Sequence, residues 1–278
     1  MNTFIAKLPP MLYGTAWKKE NTARCVALAL SSGFRGIDTA CQPKHYEEAL
    51  VGEGLEHFYA QGGRRDELFL QTKYTPLAGQ DPSRIPYDPN ASLEEQIFSS
   101  ANVSKRHLHT DYLDALLLHS PLFPYAKLRQ AWRALETLVD NGDVKYIGIS
   151  NCYDLALLQR LQEEARIQPS IVQNRFYQDS GYDIALRAWC LKTNIVYESF
   201  WSLTANPHLL HSALLHHLAQ QYGYTPEHVL YRYLVHKKIV PLNGTTSEEH
   251  MKEDLSIFTM HLEDQEIEQI DALIASMV

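Results

Sequence analysis

The chain has 278 residues, 45% hydrophobic and 21% charged, with 25 Lys+Arg against 33 Asp+Glu and a formal charge of −8. That much apolar material supports one large core and excludes disorder and fibrous repeats. The acidic balance, with no long run of like charges, excludes a nucleic-acid stripe and a basic membrane-surface helix, and leaves small neutral or anionic molecules as partners. Cys25, Cys41, Cys152 and Cys190 are widely spaced and form no C-x-x-C pair, so no disulfide framework is expected. The opening MNTFIAKLPPMLYG does not read as a secretory leader, and no window approaches the ~18 apolar residues of a membrane helix. A reduced, cytoplasmic location is expected.

In chain order, short apolar runs predict strands at Met11–Tyr13, Phe34–Ile37, Leu68–Leu70, Leu113–Leu118, Val144–Ile149, Ser170–Val172, Ile195–Tyr197 and Ile239–Leu242. Longer stretches of helical period separate them. Leu128, Ala131, Trp132, Leu135, Leu138 and Val139 fall on one helical face, as do Leu157, Leu158, Leu161 and Ala165. Tyr74–Asn90 carries Pro76, Pro82, Pro86 and Pro89 and reads as an ordered or semi-ordered excursion without a helix. Ile267, Ile270, Ile274 and Met277 predict an extra C-terminal helix over Glu263–Val278.

Strands of this kind alternating with amphipathic helices require a parallel sheet covered by helices. Eight units in 278 residues leave about 35 residues each, so one (β/α)₈ TIM barrel spans 1–278 as a single α/β domain. The rival, an open doubly wound sheet, calls for a Gly-rich phosphate turn after its first strand. GTAWKK after Leu12–Tyr13 is not G-x-G-x-x-G.

In such a barrel the chemistry collects at the carboxyl ends of the strands, so the first polar residues after each run are informative. They are Asp38, Lys73, His119, Ser150 with Asn151, Gln173 with Asn174, and the stretch from Glu198 to Trp201. Singly, each has a bland account, as a helix cap, a loop lysine or a core histidine. Jointly they converge on one bowl. A lysine held by a carboxylate stays cationic and is expected to lower the pKa of a nearby phenol, and Tyr46 is placed to be that phenol. His119 is then placed to polarise the oxygen that receives the proton. A metal centre is not expected: His208, His211, His216 and His217 have no acidic cluster nearby, and H-E-x-x-H is absent.

The segments YGTAWK, GFRGIDTA, HYEEALVGEGL, LFLQTK, YLDALLLHSP, WRALETLVDNGDVKYIGISN, IVQNRFY and EEHMKEDLSIF touch nearly every unit, and on them the chain resembles an aldo-keto reductase. The resemblance implies a (β/α)₈ barrel that transfers hydride between a nicotinamide cofactor and a carbonyl without metal, reversibly oxidising alcohols. It implies Asp38, Tyr46, Lys73 and His119 as the catalytic group, with Ser150, Asn151 and Gln173 on the nicotinamide carboxamide and Phe200 stacked on its ring. Glu253 and Asp254 match positions on the adenine side.

Two departures stand out. The Asp38–Tyr46 interval is longer than the family's usual spacing, which makes His45 a competing alignment for the acid. Tyr46 is preferred, because an imidazolium beside a lysine tends to lose its proton. At the adenosine end, Leu242, Asn243 and Gly244 follow Pro241 where relatives often carry a lysine, and His250 falls near the place of an arginine. Thr245, Thr246 and Ser247 are left to bind phosphate. NADPH is the expected cofactor, with NADH possible because guanidinium pairing is missing. Tyr13, Trp17, Tyr87, Phe123 and Trp201 are expected to line an aromatic pocket for a hydrophobic aldehyde or ketone. The partner is a small carbonyl or alcohol, with no nucleic acid and no membrane, and the chain is expected to be a monomer or weak oligomer. A nucleotide-binding regulatory barrel with negligible turnover is the alternative reading.

Overall fold

The computed structural model describes residues 8–278; the first part of the leader reading falls on residues 1–7, outside the described residues. Eight strands, β1 (Leu12–Gly14), β2 (Gly36–Asp38), β3 (Phe69–Tyr74), β4 (Leu113–Leu118), β5 (Val144–Ser150), β6 (Ile171–Arg175), β7 (Val196–Phe200) and β8 (Ile239–Asn243), close into a barrel in sequence order. Every neighbouring pair is parallel, including β1 with β8. The open-sheet rival is thereby excluded. The structure is the expected (β/α)₈ TIM barrel.

The helices are α1 (Thr22–Ser32), α2 (Glu48–Ala60), α3 (Leu93–His107), α4 (Tyr125–Asp140), α5 (Leu155–Glu164), α6 (Ile184–Lys192), α7 (Pro207–Leu210), α8 (Ala213–Tyr222), α9 (Pro226–His236), α10 (Glu248–Ser256) and α11 (Asp264–Ala275). Amphipathic spacing explains their docking. α4 buries Leu128, Ala131, Trp132, Leu135 and Leu138 against the strands, and Trp132 Nε1 donates to the Ile167 carbonyl at 2.9 Å. The extra C-terminal helix is α11, which buries Ile267, Ile270 and Ile274. The proline-rich segment is ordered: Gln80 Nε2 donates to the carbonyls of Cys41 (3.0 Å) and Thr75 (3.1 Å), and near its start lies one short helical turn, Leu77–Gly79.

Two-residue alternation along the strands sorts side chains between two cores. Leu12, Phe69, Ala115, Leu117, Ile171, Val196 and Val240 fill the barrel interior, while the larger cluster lies between strands and helices. Two residues above the interior plug, the inward positions turn polar: Phe69 is followed by Gln71 and Lys73, Ile171 by Gln173 and Arg175, and Val196 by Glu198. The apolar runs therefore end before the strands do. β3, β6 and β7 continue through those polar positions, which belong to the upper barrel wall and not to loops.

α2 starts two residues after Tyr46, so its seating sets where that ring lies. Buried Glu48 accepts hydrogen bonds from Thr72 (2.5 Å) and Ser104 (3.0 Å) and faces His107 Nδ1 at 3.2 Å, tying α2 to β3 and α3. Gly52 lets the two helices approach; a Cβ there would collide with the His107 carbonyl oxygen. Alanine is the better helix former by about 1 kcal/mol, yet Gly52→Ala is expected to destabilise the fold by about 1–3 kcal/mol through overpacking. A urea midpoint equal to or above that of the parent would contradict this account of the α2–α3 contact.

Candidate active site

A polar layer crosses the upper barrel. Asp38 and Gln71 are register partners on β2 and β3, and Gln173 and Glu198 are register partners on β6 and β7. The two pairs meet across the axis. Gln71 Nε2 donates to Asp38 Oδ1 (2.9 Å) and Glu198 Oε2 (2.6 Å), and Gln173 Nε2 donates to the same two oxygens at 2.9 and 2.8 Å. Above the layer, Lys73 Nζ contacts both Asp38 oxygens at 2.6 Å and the Thr39 carbonyl at 2.9 Å. The three contacts account for its three ammonium hydrogens.

Tyr46 borders this pair. Lys73 Nζ lies 5.6 Å from the centroid of its ring, and the His119 ring meets it edge-on at 6.0 Å. The phenol's pKa is raised, contrary to the lowering expected from Lys73: burial dominates, Lys73 pulls it down and Asp38 pushes it up. The physical reason is burial, which disfavours the phenolate by more than Lys73 favours it, with Asp38 offsetting part of the lysine's pull. His45, the competing donor, also borders the cavity, but its ring stacks on Trp17 at 4.0 Å. Burial and then Lys44 lower its pKa.

His119 is held neutral, its pKa pushed down to about 3 by burial, then Lys73, then His45. Its Nδ1 lies 2.6 Å from Thr75 Oγ1. A neutral ring that accepts from Thr75 at Nδ1 carries its hydrogen on Nε2, an assignment made from that contact. Asn151, at φ 53°, donates from Nδ2 to the His119 carbonyl (2.9 Å) and to Ser150 Oγ (3.2 Å), while Ser150 Oγ donates to the Gln173 carbonyl at 2.8 Å. With those donors engaged, the amide oxygens of Asn151 and Gln173 are the groups left for a ligand.

These side chains open into a cavity of about 1000 Å³ that runs from Tyr46 and His119, past Ser150, Asn151, Gln173 and Phe200, to Thr245, Thr246, Glu253 and Asp254. Small-molecule pockets span about 300–1,000 Å³, so this one suits an elongated ligand. Trp17 and Trp201 form its exposed rim. Three expected wall residues are placed elsewhere. Tyr13 lies on the outward side of β1, packed on Phe34 with its hydroxyl donating to the Thr245 carbonyl at 2.8 Å. Tyr87 packs on Tyr74 and donates to the Thr75 carbonyl at 2.6 Å. Phe123 is 69% exposed and outside the cavity lining.

At the far end, Ser247 caps α10 by accepting from the His250 amide at 3.3 Å and does not border the cavity. Asp254 is buried, bound by Asn243 Nδ2 at 2.5 Å and faced by His228 Nε2 at 3.4 Å. Glu253 is the more open of the two acidic groups. A cation that sequence reasoning left without a role stands here: Lys18, from the YGTAWK segment, donates to the Gly244 carbonyl. Arg175 is a second one, its guanidinium 4.3 Å from the Trp201 ring and 4.9 Å from that of Tyr177. Cys41 is buried and its thiol pKa is pushed up by burial, which disfavours the thiolate. Among the described residues no group of three or more His, Cys, Asp or Glu could hold a metal ion.

The profile of the Aldo/keto reductase family matches residues 11–195 and 205–275. The chain belongs to that family. Relatives of this aldo/keto reductase include an uncharacterized oxidoreductase, YtbE, of Bacillus subtilis, 32% identical over 250 residues that cover 89% of this chain and 82% of that protein. A methylglyoxal reductase, DkgA, of Yersinia pestis is 30% identical over 271 residues, covering 96% and 90%. Among solved structures, the aldo-keto reductase MGS-M4 from a Medee basin deep-sea metagenome library matches with a TM-score of 0.81 at 26% identity, over 96% of this chain and 92% of that one.

Proposed function

We propose that this aldo/keto reductase is a cytoplasmic, NADPH-preferring carbonyl reductase with Tyr46 as its general acid. The observation that carries the reading is the buried Lys73–Asp38 contact at 2.6 Å beside the Tyr46 and His119 rings, which line the cavity. The free amide oxygens of Asn151 and Gln173 fit the N–H₂ of a nicotinamide carboxamide, and Phe200 supplies a stacking face. When bound, the cofactor supplies the hydride.

The protein supplies the rest. Tyr46, its pKa raised, stays protonated at neutral pH, as a general acid must. As its proton leaves, Lys73 stabilises the phenolate through its charge, since its hydrogens are already engaged. Neutral His119 donates from Nε2 to the carbonyl oxygen and fixes its position. His45 is the weaker candidate because its ring is engaged by Trp17 and not by Lys73. A purely binding barrel would not need an ammonium buried beside a phenol.

The aromatic rim of Trp17, Trp201 and His45 suits a hydrophobic aldehyde or ketone, aryl or polyketide-like. Relatives named glyoxal reductase, in Bacillus subtilis, and methylglyoxal reductase, in Yersinia pestis, support reduction as the working direction. At the adenosine end, Lys18 contributes positive charge beside Gly244, and Thr245, Thr246 and His250 take the place of the family's lysine and arginine. Four buried, unpaired thiols fit a reducing compartment, and among the described residues no helix is long and apolar enough to cross a membrane.

Tyr46→Phe is expected to lower kcat for an aromatic aldehyde at least ~100-fold, the scale of a lost general acid, while the Kd for NADPH stays within about twofold. Full turnover in Tyr46→Phe, with loss on His45→Phe, would transfer the role to His45. His250→Arg is expected to raise the NADPH-over-NADH ratio of kcat/KM about tenfold through guanidinium–phosphate pairing. An unchanged ratio would show that His250 does not face the 2′ position.

A further inference from the structure

The buried acid Glu198 has no part in the proton transfer described above. It is 0% exposed, at the centre of β7, and its register neighbours are Gln173 on β6 and Val240 on β8. The ionisable groups that face it are Asp38 from β2 and Lys73 from β3, with the neutral amides of Gln71 and Gln173 between. Four amide hydrogens are shared between two carboxyl oxygens, Asp38 Oδ1 and Glu198 Oε2. Left over, buried and without a hydrogen-bond partner are Glu198 Oε1 and Gln71 Oε1.

Both leftover atoms are acceptors when Glu198 is ionised. A proton on Glu198 Oε1 turns one of them into a donor and spares the burial of a bare carboxylate oxygen. Charge accounting points the same way. Asp38 and Lys73 cancel, so an ionised Glu198 leaves one unbalanced negative charge inside the barrel. Its pKa is pushed up to about 7 by burial and then by Asp38.

What would call for that negative charge lies directly above. Glu198 is two residues below Phe200 on the same strand, about 7 Å at the usual rise. It also shares the Gln173 amide whose oxygen is free for the carboxamide. Resting on the cofactor placement proposed above, we infer that Glu198 is a positioning residue that reads the redox state of the nicotinamide: protonated beneath the neutral reduced ring, ionised beneath the cationic oxidised ring. It acts by holding Gln173 Nε2 down in the layer, so that the amide oxygen points at the cofactor, and by balancing the charge of the oxidised ring. Replacing NADPH by NADP⁺ then releases the Glu198 proton to solvent. By reciprocity, NADP⁺ binding tightens relative to NADPH as pH rises through the window near 7.

The test is binding, not turnover. Kd values for NADPH and NADP⁺ are measured by quenching of protein fluorescence from pH 6 to 8.5, on the parent and on Glu198→Gln, which keeps an acceptor for the two amides. Effects at the adenosine end, the 2′-phosphate included, act on both nucleotides alike and cancel in the ratio. The ratio Kd(NADPH)/Kd(NADP⁺) is expected to rise about tenfold across this range in the parent, equivalent to a pKa shift of about one unit, and to stay flat in Glu198→Gln. A flat ratio in the parent, or the same rise in both proteins, overturns the assignment to Glu198 while leaving the cofactor site standing. Failure of the parent to bind either nucleotide removes the cofactor placement and this inference with it.

Discussion

A lysine ammonium buried in the mouth of a barrel is stable only if something holds it there, and the Asp38 carboxylate at 2.6 Å is that partner. Such a pair carries a large desolvation cost, and removing one member is far more damaging than never having had either. The surrounding layer responds to that cost. Gln71 and Gln173 lend hydrogens to Asp38, Thr39 accepts from Lys73, and the interior plug of Phe69, Ile171, Val196 and Val240 seals the layer from below. Everything proposed about Tyr46 follows from the ammonium being fixed beside its ring.

The same layer explains how strands far apart in sequence cooperate. Two-residue alternation brings Gln71, Gln173 and Glu198 to one height, and the next inward step on β6 and β7 brings Arg175 and Phe200 to the cavity wall. Helix seating supplies the remaining precision. Tyr46 is on a loop, but Glu48, two residues later, is tied to Thr72 on β3 and Ser104 on α3, so the loop's exit is anchored to the strand that carries Lys73.

Much of this was legible in the sequence for a simple reason: polar residues at the ends of apolar runs have few other uses in a closed parallel barrel. Asp38, Lys73, His119, Ser150, Asn151, Gln173 and Phe200 all border one space or support its floor. Aromatic wall residues were less legible. Tyr13 alternates with Leu12 and Gly14, and only the register decides which of them faces inward; it faces the helices. Tyr87 is spent on closing the proline-rich excursion. The direction of the Tyr46 pKa is not legible in the sequence, which shows the cation but not how deeply the ring is buried or that Asp38 offsets part of the lysine's pull. Glu198 was visible as a strand-end acid, yet without the amide bridges to Asp38 nothing distinguished it from an ordinary polar position. Lys18 lies inside a family segment, and only the fold shows that it meets the Gly244 carbonyl.

The claim on which the account rests is that Asp38 and Lys73 act as one unit on the phenol. A double-mutant cycle measures this directly: kcat/KM for an aromatic aldehyde in the parent, Asp38→Asn, Lys73→Met and the combined variant, each checked for native folding. The account predicts strong non-additivity, with the double variant no more than a few-fold worse than the poorer single variant and a coupling of at least about tenfold. Losses that simply multiply would show two independent residues and would contradict it.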